Sequence, residues 1–304
     1  MCKKTKKEFI IEEIEKSGYP LELYISGILR DQEWSIFPNQ YYYDKDSGKG
    51  REFDIRAEKE YLLNELDAVL RFRLLIECKK IPGNAWVFFE GPQIQNTPIA
   101  SFPTIVTILD ALGINSEDAT NKIVLPLLFE KLHYDKGFFA SGYKEIVLDR
   151  KQSKKSDISN IWDSEITLIK TIPSEIQDCL SNELMVMQID DFKTDGFDSW
   201  HSSGASQCIY FLYPLIVFQG DIYSTSFPLS EENLIETDYI CLSRDYKSAE
   251  YEFDGAIDIL KKEYFEKYLI ELERDFRKIK QSTISNWGEF IDKEKDLLYL
   301  NSQR

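Results

Sequence analysis

The spacing of apolar residues at the start of the chain predicts two helices that lead into strands. Residues 5–16 carry apolar positions among charges, which is typical of an amphipathic helix. Gly18 and Pro20 interrupt this pattern, and a second helix is expected to continue through about Arg30. The aromatic and β-branched runs WSIF and QYYY follow, and then the turn-rich segment DKDSGKG.

The next segments predict the first strands of a sheet. In REFDIRA, residues 51–57, polar and apolar side chains alternate as they do in a strand with two unlike faces. Residues 58–67 indicate a polar connection, residues 69–78 a strongly apolar strand, and AWVFF a further strand. The order helix, strand, strand, strand is therefore expected near the N-terminus.

Helices are predicted again beyond residue 100, and strands return later in the chain. Helical spacing occurs in TIVTILDAL, in KIVLPLLFEKL and in a charged stretch over 157–183 that Pro173 is expected to break. The segments FLYPLIVFQGDIYS, DYICLSRDY and GAIDILK predict strands. Aromatic and leucine side chains then recur at helical spacing over residues 262–282, and this face is expected to be core or a partner surface.

The chain contains no internal repeat, low-complexity tract or Gly/Ser-rich linker. The late strands within 207–260 are therefore expected to complete the early sheet. We predict a single α/β domain over residues 1–304, and two domains divided near residue 150 are the alternative. The aromatic face of 262–282 also predicts a homodimer.

Composition narrows the classes of protein that fit. With 304 residues, of which 43% are hydrophobic, the chain can bury a sizeable core. The formal net charge of −16 excludes a surface that is basic throughout, so any nucleic-acid contact must be local. The 5 cysteines are scattered, which predicts reduced thiols and no structural zinc. The apolar run 208–218 is too short for a membrane helix, and the N-terminus lacks a secretory signal, so we expect a cytoplasmic protein that does not bind membranes.

Two predicted strands carry charged side chains in apolar surroundings. Because side chains alternate between faces, Glu77 and Lys79 of the segment LLIECKK point to the same side. In REFDIRA, Asp54 lies on one face, and the apolar side chains on the other face are Phe53, Ile55 and Ala57. If the two strands are neighbours, Asp54 converges with Glu77 and Lys79.

Such a group has a definite chemistry. Carboxylate oxygens suit Mg²⁺, and a divalent cation compensates their mutual repulsion and desolvation. The Lys79 amine would hold or deprotonate the water that attacks phosphorus, while the metal polarises the phosphate. The carbonyl of Cys78 is a further candidate ligand.

This constellation resembles the PD-(D/E)XK nuclease superfamily, which includes many restriction endonucleases, Mrr-like ones among them. The matching residues are Asp54 in REFDIRA, Glu77 and Lys79 in LLIECKK, and Glu22 in the helix GYPLELYISGIL. The order of a helix and three strands also fits the family core, and the resemblance covers residues 18–90. The chain departs from the motif in having Phe53 at the position of its Pro, and no clear QxxxY follows the lysine strand.

The resemblance implies a restriction-endonuclease-like mixed β-sheet flanked by helices, here with additional C-terminal strands and a long helix. It implies a Mg²⁺- or Mn²⁺-dependent nuclease that hydrolyses DNA, with a role in restriction or phage defence. Asp54 and Glu77 would bind the metal, Cys78 and Glu22 are further candidate ligands, and Lys79 would position the nucleophilic water. Basic residues near the site are candidate nucleic-acid contacts: Arg71, Arg73 and Lys80.

Two other interpretations compete with a nuclease site. Glu77 and Lys79 form the only ExK pair in the sequence, but they would also suit the rim of an edge strand, with Asp54 paired to Arg56. A nuclease-like fold that has lost catalysis and serves as an interaction module is the alternative function. Binding of Mg²⁺ or Mn²⁺ separates these interpretations.

Overall fold

The computed structural model describes residues 5–66, 68–90, 104–106, 132–133, 138–148, 160–186 and 207–302. The helices are α1 (Lys6–Glu15), α2 (Tyr19–Asp31), α3 (Asn160–Val186) and α4 (Phe265–Ser302), and a 3-10 turn (Lys262–Tyr264) precedes α4. The strands are β1 (Ser35–Asp44), β2 (Lys49–Leu63), β3 (Ala68–Glu90), β4 (Thr104–Val106), β5 (Phe138–Val147), β6 (Gln207–Thr225), β7 (Leu234–Glu236), β8 (Tyr239–Lys247) and β9 (Glu252–Lys261).

The two N-terminal helices confirm the sequence prediction. The Thr5 hydroxyl accepts a hydrogen bond of 3.3 Å from the Glu8 amide, and the Glu8 carboxylate accepts one of 2.7 Å from the Thr5 amide. A cap of this kind stabilises a helix by about 1 kcal/mol. Pro20 lies in the first turn of α2, where its missing N–H has no helical partner to lose. The buried face of α2 packs on the sheet through Leu21, Ile25 and Leu29.

The early strands are longer than the sequence pattern predicts. β1 pairs antiparallel with β2, and β2 pairs antiparallel with β3. The predicted connection 58–67 is wrong over most of its length, because β2 continues to Leu63. The two strands expected at 69–78 and in AWVFF form one strand, β3, because β6 runs parallel beside both halves of it. The continuous strand β6 therefore holds the two halves of β3 in line.

The late strands join the sheet that the early strands begin. β3 pairs with β6, β6 with β9, β9 with β8, β8 with β5, and β5 with β3. These pairings form a closed ring of five strands, which β1 and β2 extend from β3. Parallel and antiparallel pairs both occur and helices flank the strands, so the predicted mixed α/β class is confirmed.

Separate apolar clusters lie on the two faces of the sheet. α2 and α4 contribute to one of them, and α3 contributes to the other. α3 runs through Pro173 without interruption, so the predicted break is wrong. Ile169 and Ile172 are buried in the helical turn before Pro173. Their packing holds the helix on the sheet although Pro173 has no backbone N–H to donate to the helix. The first three residues of TIVTILDAL form β4 beside β6 and not a helix, and the rest of that segment lies outside the described residues.

The aromatic stripe predicted over 262–282 belongs to the core. Tyr268, Leu272 and Phe276 of α4 are fully buried. The Phe276 ring stacks on Phe72 of β3 with ring centroids 3.8 Å apart. The stripe is therefore not a partner surface, and it no longer supports the predicted homodimer, which stays a prediction.

Two further observations concern the predicted compartment. No helix in the described ranges is long and apolar enough to cross a membrane. The cysteines in the described ranges are free and buried: Cys78, Cys179, Cys208 and Cys241. These four thiols therefore form no disulfide bond.

Pairing of β3 with β6 predicts that residues 1–150 do not fold alone. Without β6, the apolar strand β3 loses a partner along its whole length, and the Phe72 ring loses Phe211 and Phe276. We expect a 1–150 fragment to be insoluble or to lack cooperative unfolding, as measured by sedimentation and by circular dichroism during heating. A soluble fragment with a sharp transition would instead establish two domains.

A buried charged network joins His133 to β9 and α4. Nδ1 of His133 lies 2.5 Å from Asp275, and Nε2 lies 3.1 Å from Asp258. Tyr239 and Tyr268 donate hydrogen bonds of 2.8 and 2.5 Å to Asp258. Burial alone would lower the pKa of His133, but hydrogen bonds and charge from the two carboxylates raise it to about 9. The imidazole is therefore charged at neutral pH.

This network predicts a stability that depends on pH. Between about pH 6.5 and 9 the folded protein keeps a proton on His133 that the unfolded chain releases, so the contribution of His133 falls as pH rises. It is fully present below about pH 6.5, and about 3 kcal/mol is lost by pH 9 and above. Urea denaturation of wild type and His133→Gln should give free energies of unfolding whose difference shrinks across this range. A difference that does not change with pH would contradict the charged imidazole.

Candidate functional site

The candidate site lies where β2 separates from β3. The ladder between these strands ends at the pair Ile55–Ile76. Just beyond it, the amide of Cys78 donates a hydrogen bond of 2.6 Å to the Asp54 carboxylate. A side-chain oxygen thus satisfies an amide that lies past the end of this ladder. The first predicted contact between REFDIRA and LLIECKK is therefore present.

An irregularity in β1 lies opposite Asp54. Asn39 has a φ of 52°, in the left-handed region that asparagine tolerates better than most residues. The ladder of β1 with β2 pairs Pro38 with Ile55 and Gln40 with Phe53, and it passes over Asn39 and Asp54. The backbone of β2 is therefore free of both ladders at Asp54.

The strand also changes its packing at this point. Ile55 and Ala57 pack with the α2 side of the sheet, whereas Phe53 packs with the α3 side. The prediction that these three side chains share one face is therefore wrong for Phe53. Phe53 and Ile55 thus pack on opposite sides of the sheet, and the Asp54 carboxylate between them accepts the hydrogen bond from Cys78 in the middle of β3.

Glu77 and Lys79 meet as the alternation of β3 predicts. The Lys79 ammonium lies 3.0 Å from Oε2 of Glu77. Glu77 is only 3% exposed, and Leu75, two residues earlier on the same face, belongs to the apolar cluster below. At Glu77, β3 pairs with β6 on one edge and has left its ladder with β2 on the other, and it holds a buried carboxylate against an amine.

Glu22 joins this group from α2. Burial, followed by the negative charges of Asp54 and Glu52, raises the pKa of Glu22 to about 7, while the Lys79 charge opposes the rise. Gly18 leaves room for the carboxylate, since a Cβ at that position would lie 3.3 Å from Oε1 of Glu22. The predicted residues Glu22, Asp54, Glu77 and Lys79 are therefore brought together.

The group carries more negative than positive charge. Burial, followed by the charge of Asp54, raises the pKa of Glu77 to about 8. Burial also raises the pKa of Asp54, although the hydrogen bond from Cys78 lowers it. For Lys79, burial alone would lower the pKa, but the adjacent Glu77 carboxylate outweighs it and the pKa is raised. One ammonium therefore faces several carboxyl groups, a shortage of positive charge that a divalent cation would relieve.

The donor atoms fit Mg²⁺ by their chemistry. Asp54 and Glu77 supply hard carboxylate oxygens, which Mg²⁺ prefers together with water. Burial raises the pKa of the Cys78 thiol well above its ordinary value, so this thiol stays protonated and Cys78 would contribute its carbonyl only. Within the described ranges, no group of three or more His, Cys, Asp or Glu side chains is arranged to hold a metal ion. The candidate metal ligands are therefore the carboxylates of Asp54 and Glu77, the Cys78 carbonyl and water.

Comparison with known proteins adds no relative. No family model matches the chain, and no match is found among curated proteins or solved structures. The interpretation of the site therefore rests on its geometry and on the residues of the motif.

Two of the predicted nucleic-acid contacts have protein partners but stay near the surface. Arg71 donates hydrogen bonds of 2.7 Å to Glu60 and to the Tyr210 hydroxyl. Lys80 donates to the backbone carbonyl of Glu15. Each cation would have to exchange these partners for a phosphate.

Arg73, the third predicted contact, lies in a buried group of ion pairs. Its guanidinium lies 2.7 Å from Glu175, 3.2 Å from Asp178 and 2.8 Å from Glu58, and the residue is only 3% exposed. These ion pairs join α3 to β2 and β3. The predicted contact between Arg73 and nucleic acid is therefore corrected, because the side chain is enclosed by protein.

The sequence pattern missed Tyr42 at the back of the site. Burial raises the pKa of Tyr42 to about 12, a hydrogen bond with Thr167 opposes the rise, and the charges of Asp44 and Glu77 add to it. Lys170 of α3 lies 2.9 Å from Asp44 and anchors the end of β1. The alternation in QYYYD, which puts Tyr42 and Asp44 on one side of β1, was the available signal.

Proposed function

We propose that this chain is a metal-dependent nuclease that hydrolyses phosphodiester bonds of DNA, with a restriction-endonuclease-like core and a role in restriction or phage defence. The observation that carries the proposal is the convergence of Asp54 and Glu22 on the Glu77–Lys79 pair in the middle of the buried strand β3. Four residues matched to one motif come from three separate elements, α2, β2 and β3, and the charges of Asp54 and Lys79 act on both Glu22 and Glu77.

In this proposal each side chain of the site has its own role. Asp54 and Glu77 hold the metal, which would supply polarisation of the scissile phosphate. Lys79 keeps its proton because its pKa is raised, so it orients the attacking water and offsets charge on the phosphate rather than removing a proton. Glu22 adds a further carboxyl group to the site, and the charge of Asp54 acts on it.

A direct test compares cleavage with and without metal. Supercoiled plasmid incubated with the full chain and Mg²⁺ or Mn²⁺ should be nicked or cut, and EDTA should stop the reaction. Asp54→Asn removes a ligand charge and should abolish cleavage. Asp254→Asn is the matched control, because Asp254 is an exposed strand residue on β9. Cleavage that survives both EDTA and Asp54→Asn would refute the proposal.

The second candidate is an interaction module without catalysis. The 3.0 Å contact between Lys79 and Glu77 favours it, since this pair satisfies the buried carboxylate without a metal. An inactive module would neither bind Mn²⁺ at Asp54 nor cleave any nucleic acid. Calorimetric titration with Mn²⁺ distinguishes it from a nuclease.

A further inference from the structure

Two exposed tyrosines stand beside the carboxylates of the candidate site. Tyr41 on β1 is 71% exposed, and its hydroxyl donates a hydrogen bond of 3.1 Å to Glu52, the residue opposite it in the β1–β2 ladder. The charge of Glu52 in turn acts on Asp54 and Glu22. The Tyr41 ring is therefore joined to the site through one side chain and yet faces solvent.

Tyr19 reaches the same rim from α2. It is 60% exposed and lies three residues before Glu22, so the two side chains share a face of the helix. Its hydroxyl is close enough for its charge to act on the pKa of Tyr41, which the hydrogen bond to Glu52 raises first of all. Two exposed aromatic side chains from different elements thus lie beside the carboxylates of the candidate site.

Within the described ranges, the three basic residues predicted to contact phosphate are all engaged by protein groups. Arg71 and Lys80 are engaged by protein oxygens, Arg73 is enclosed, and the chain has a formal net charge of −16. These three side chains are therefore not free to hold the nucleic-acid backbone, and a further source of affinity is needed. Exposed aromatic rings provide one, because they stack on bases whose faces are not already covered by neighbours in a duplex.

We propose that Tyr41 and Tyr19 form a base-stacking subsite and that the ligand of this site is unpaired, single-stranded DNA. This inference rests on the proposed function in taking nucleic acid as the ligand. Stacking explains how an acidic protein holds a polyanion.

The test measures binding separately from cleavage. The full chain carrying Lys79→Met, which prevents cleavage, is titrated into a fluorescein-labelled oligothymidine and into a duplex of the same length, with anisotropy as the readout. We expect the single strand to bind at least about tenfold more tightly than the duplex. Added Tyr41→Ala should weaken single-strand binding about tenfold and leave duplex binding unchanged. A strand containing 2-aminopurine should lose fluorescence on binding, and Tyr41→Ala should reduce that loss.

Three controls separate stacking from a structural role. Tyr41→Phe keeps the ring and removes the bond to Glu52, so it should bind like the parent protein. Phe227→Ala removes a ring that is 94% exposed beyond the end of the β3–β6 ladder and should have no effect. Tyr19→Ala provides a second test of the subsite, and thermal melting confirms that each variant is folded.

The outcomes are distinct from those for the proposed function. Equal or tighter binding of the duplex, or single-strand affinity unchanged by both Tyr41→Ala and Tyr19→Ala, overturns the stacking subsite even if the protein cleaves DNA. An equal loss with Tyr41→Phe also overturns it, because the hydroxyl rather than the ring would then matter. Stacking without metal-dependent cleavage by wild type would keep the subsite and reject the nuclease.

Discussion

Glu77→Gln and Lys79→Met are expected to abolish cleavage in different ways. Glu77→Gln keeps the size of the side chain and removes a ligand charge, so Mn²⁺ should bind at least about tenfold more weakly and cleavage should fall with it. Lys79→Met keeps the aliphatic stem and removes the ammonium that lies 3.0 Å from Glu77. Metal should still bind to this variant, while the cleavage rate falls by about 10²- to 10⁴-fold.

The measurements are calorimetric titration with Mn²⁺ and plasmid cleavage by each variant. Glu252→Gln and Lys247→Met form the matched control, because these residues make a 3.1 Å ion pair with both side chains 71% exposed. Neither control should change metal affinity or cleavage. The fold should survive Glu77→Gln, because burial already favours the uncharged carboxyl with a pKa of about 8. Full activity of both site variants would place the reaction elsewhere in the chain.

Arg73→Met should strongly destabilise the folded protein. The change leaves Glu58 and Glu175 with Arg56 as their remaining cation, at 3.4 and 3.6 Å, in place of the closer guanidinium that now lies 2.8 and 2.7 Å from them. Removing one partner of a buried ion pair costs about 3–5 kcal/mol, because the remaining charge stays desolvated. Urea denaturation should show this as a lower midpoint at an unchanged slope.

An exposed arginine provides the comparison. Arg277 pairs with Glu273 at 3.8 Å and its side chain is 73% exposed, so Arg277→Met should cost less than about 1 kcal/mol. Adding Glu175→Gln to Arg73→Met should recover part of the loss, because it removes one of the two carboxylates that Arg73 neutralised. Equal losses for Arg73→Met and Arg277→Met would mean that water reaches the layer between α3 and β3.

The elements that the sequence predicts well are those whose pattern is local. The break between α1 and α2 and the strands beginning in FLYPLIVF, DYICL and GAIDIL are each recorded within a few residues. The length of β3 cannot be predicted from its local pattern, because its two halves are joined by a neighbour, β6, that is remote in sequence. The same holds for Pro173, whose cost to α3 is offset by packing against the sheet.

The site was predictable to a similar degree. Alternation alone puts Glu77 beside Lys79, since both belong to one strand. Alternation within REFDIRA does not reveal that Phe53 and Ile55 pack on opposite sides of the sheet, at the point where the ladder with β1 passes over Asn39 and Asp54. The enclosure of Arg73 required knowledge of where α3 docks, so a flanking arginine was mistaken for a free charge.

The closed ring of strands has a consequence for how the protein is made. β3 carries Glu77 and Lys79, but the strand that pairs along its length, from Ala68–Gln207 onward, emerges from the ribosome about 140 residues later. At about 5–20 residues per second, β3 waits roughly 7–30 s during translation before that neighbour exists. A nascent chain therefore has no neighbour along this edge of Glu77 and Lys79 until β6 has emerged, and the apolar run LLI stays unpaired on that edge for the same interval.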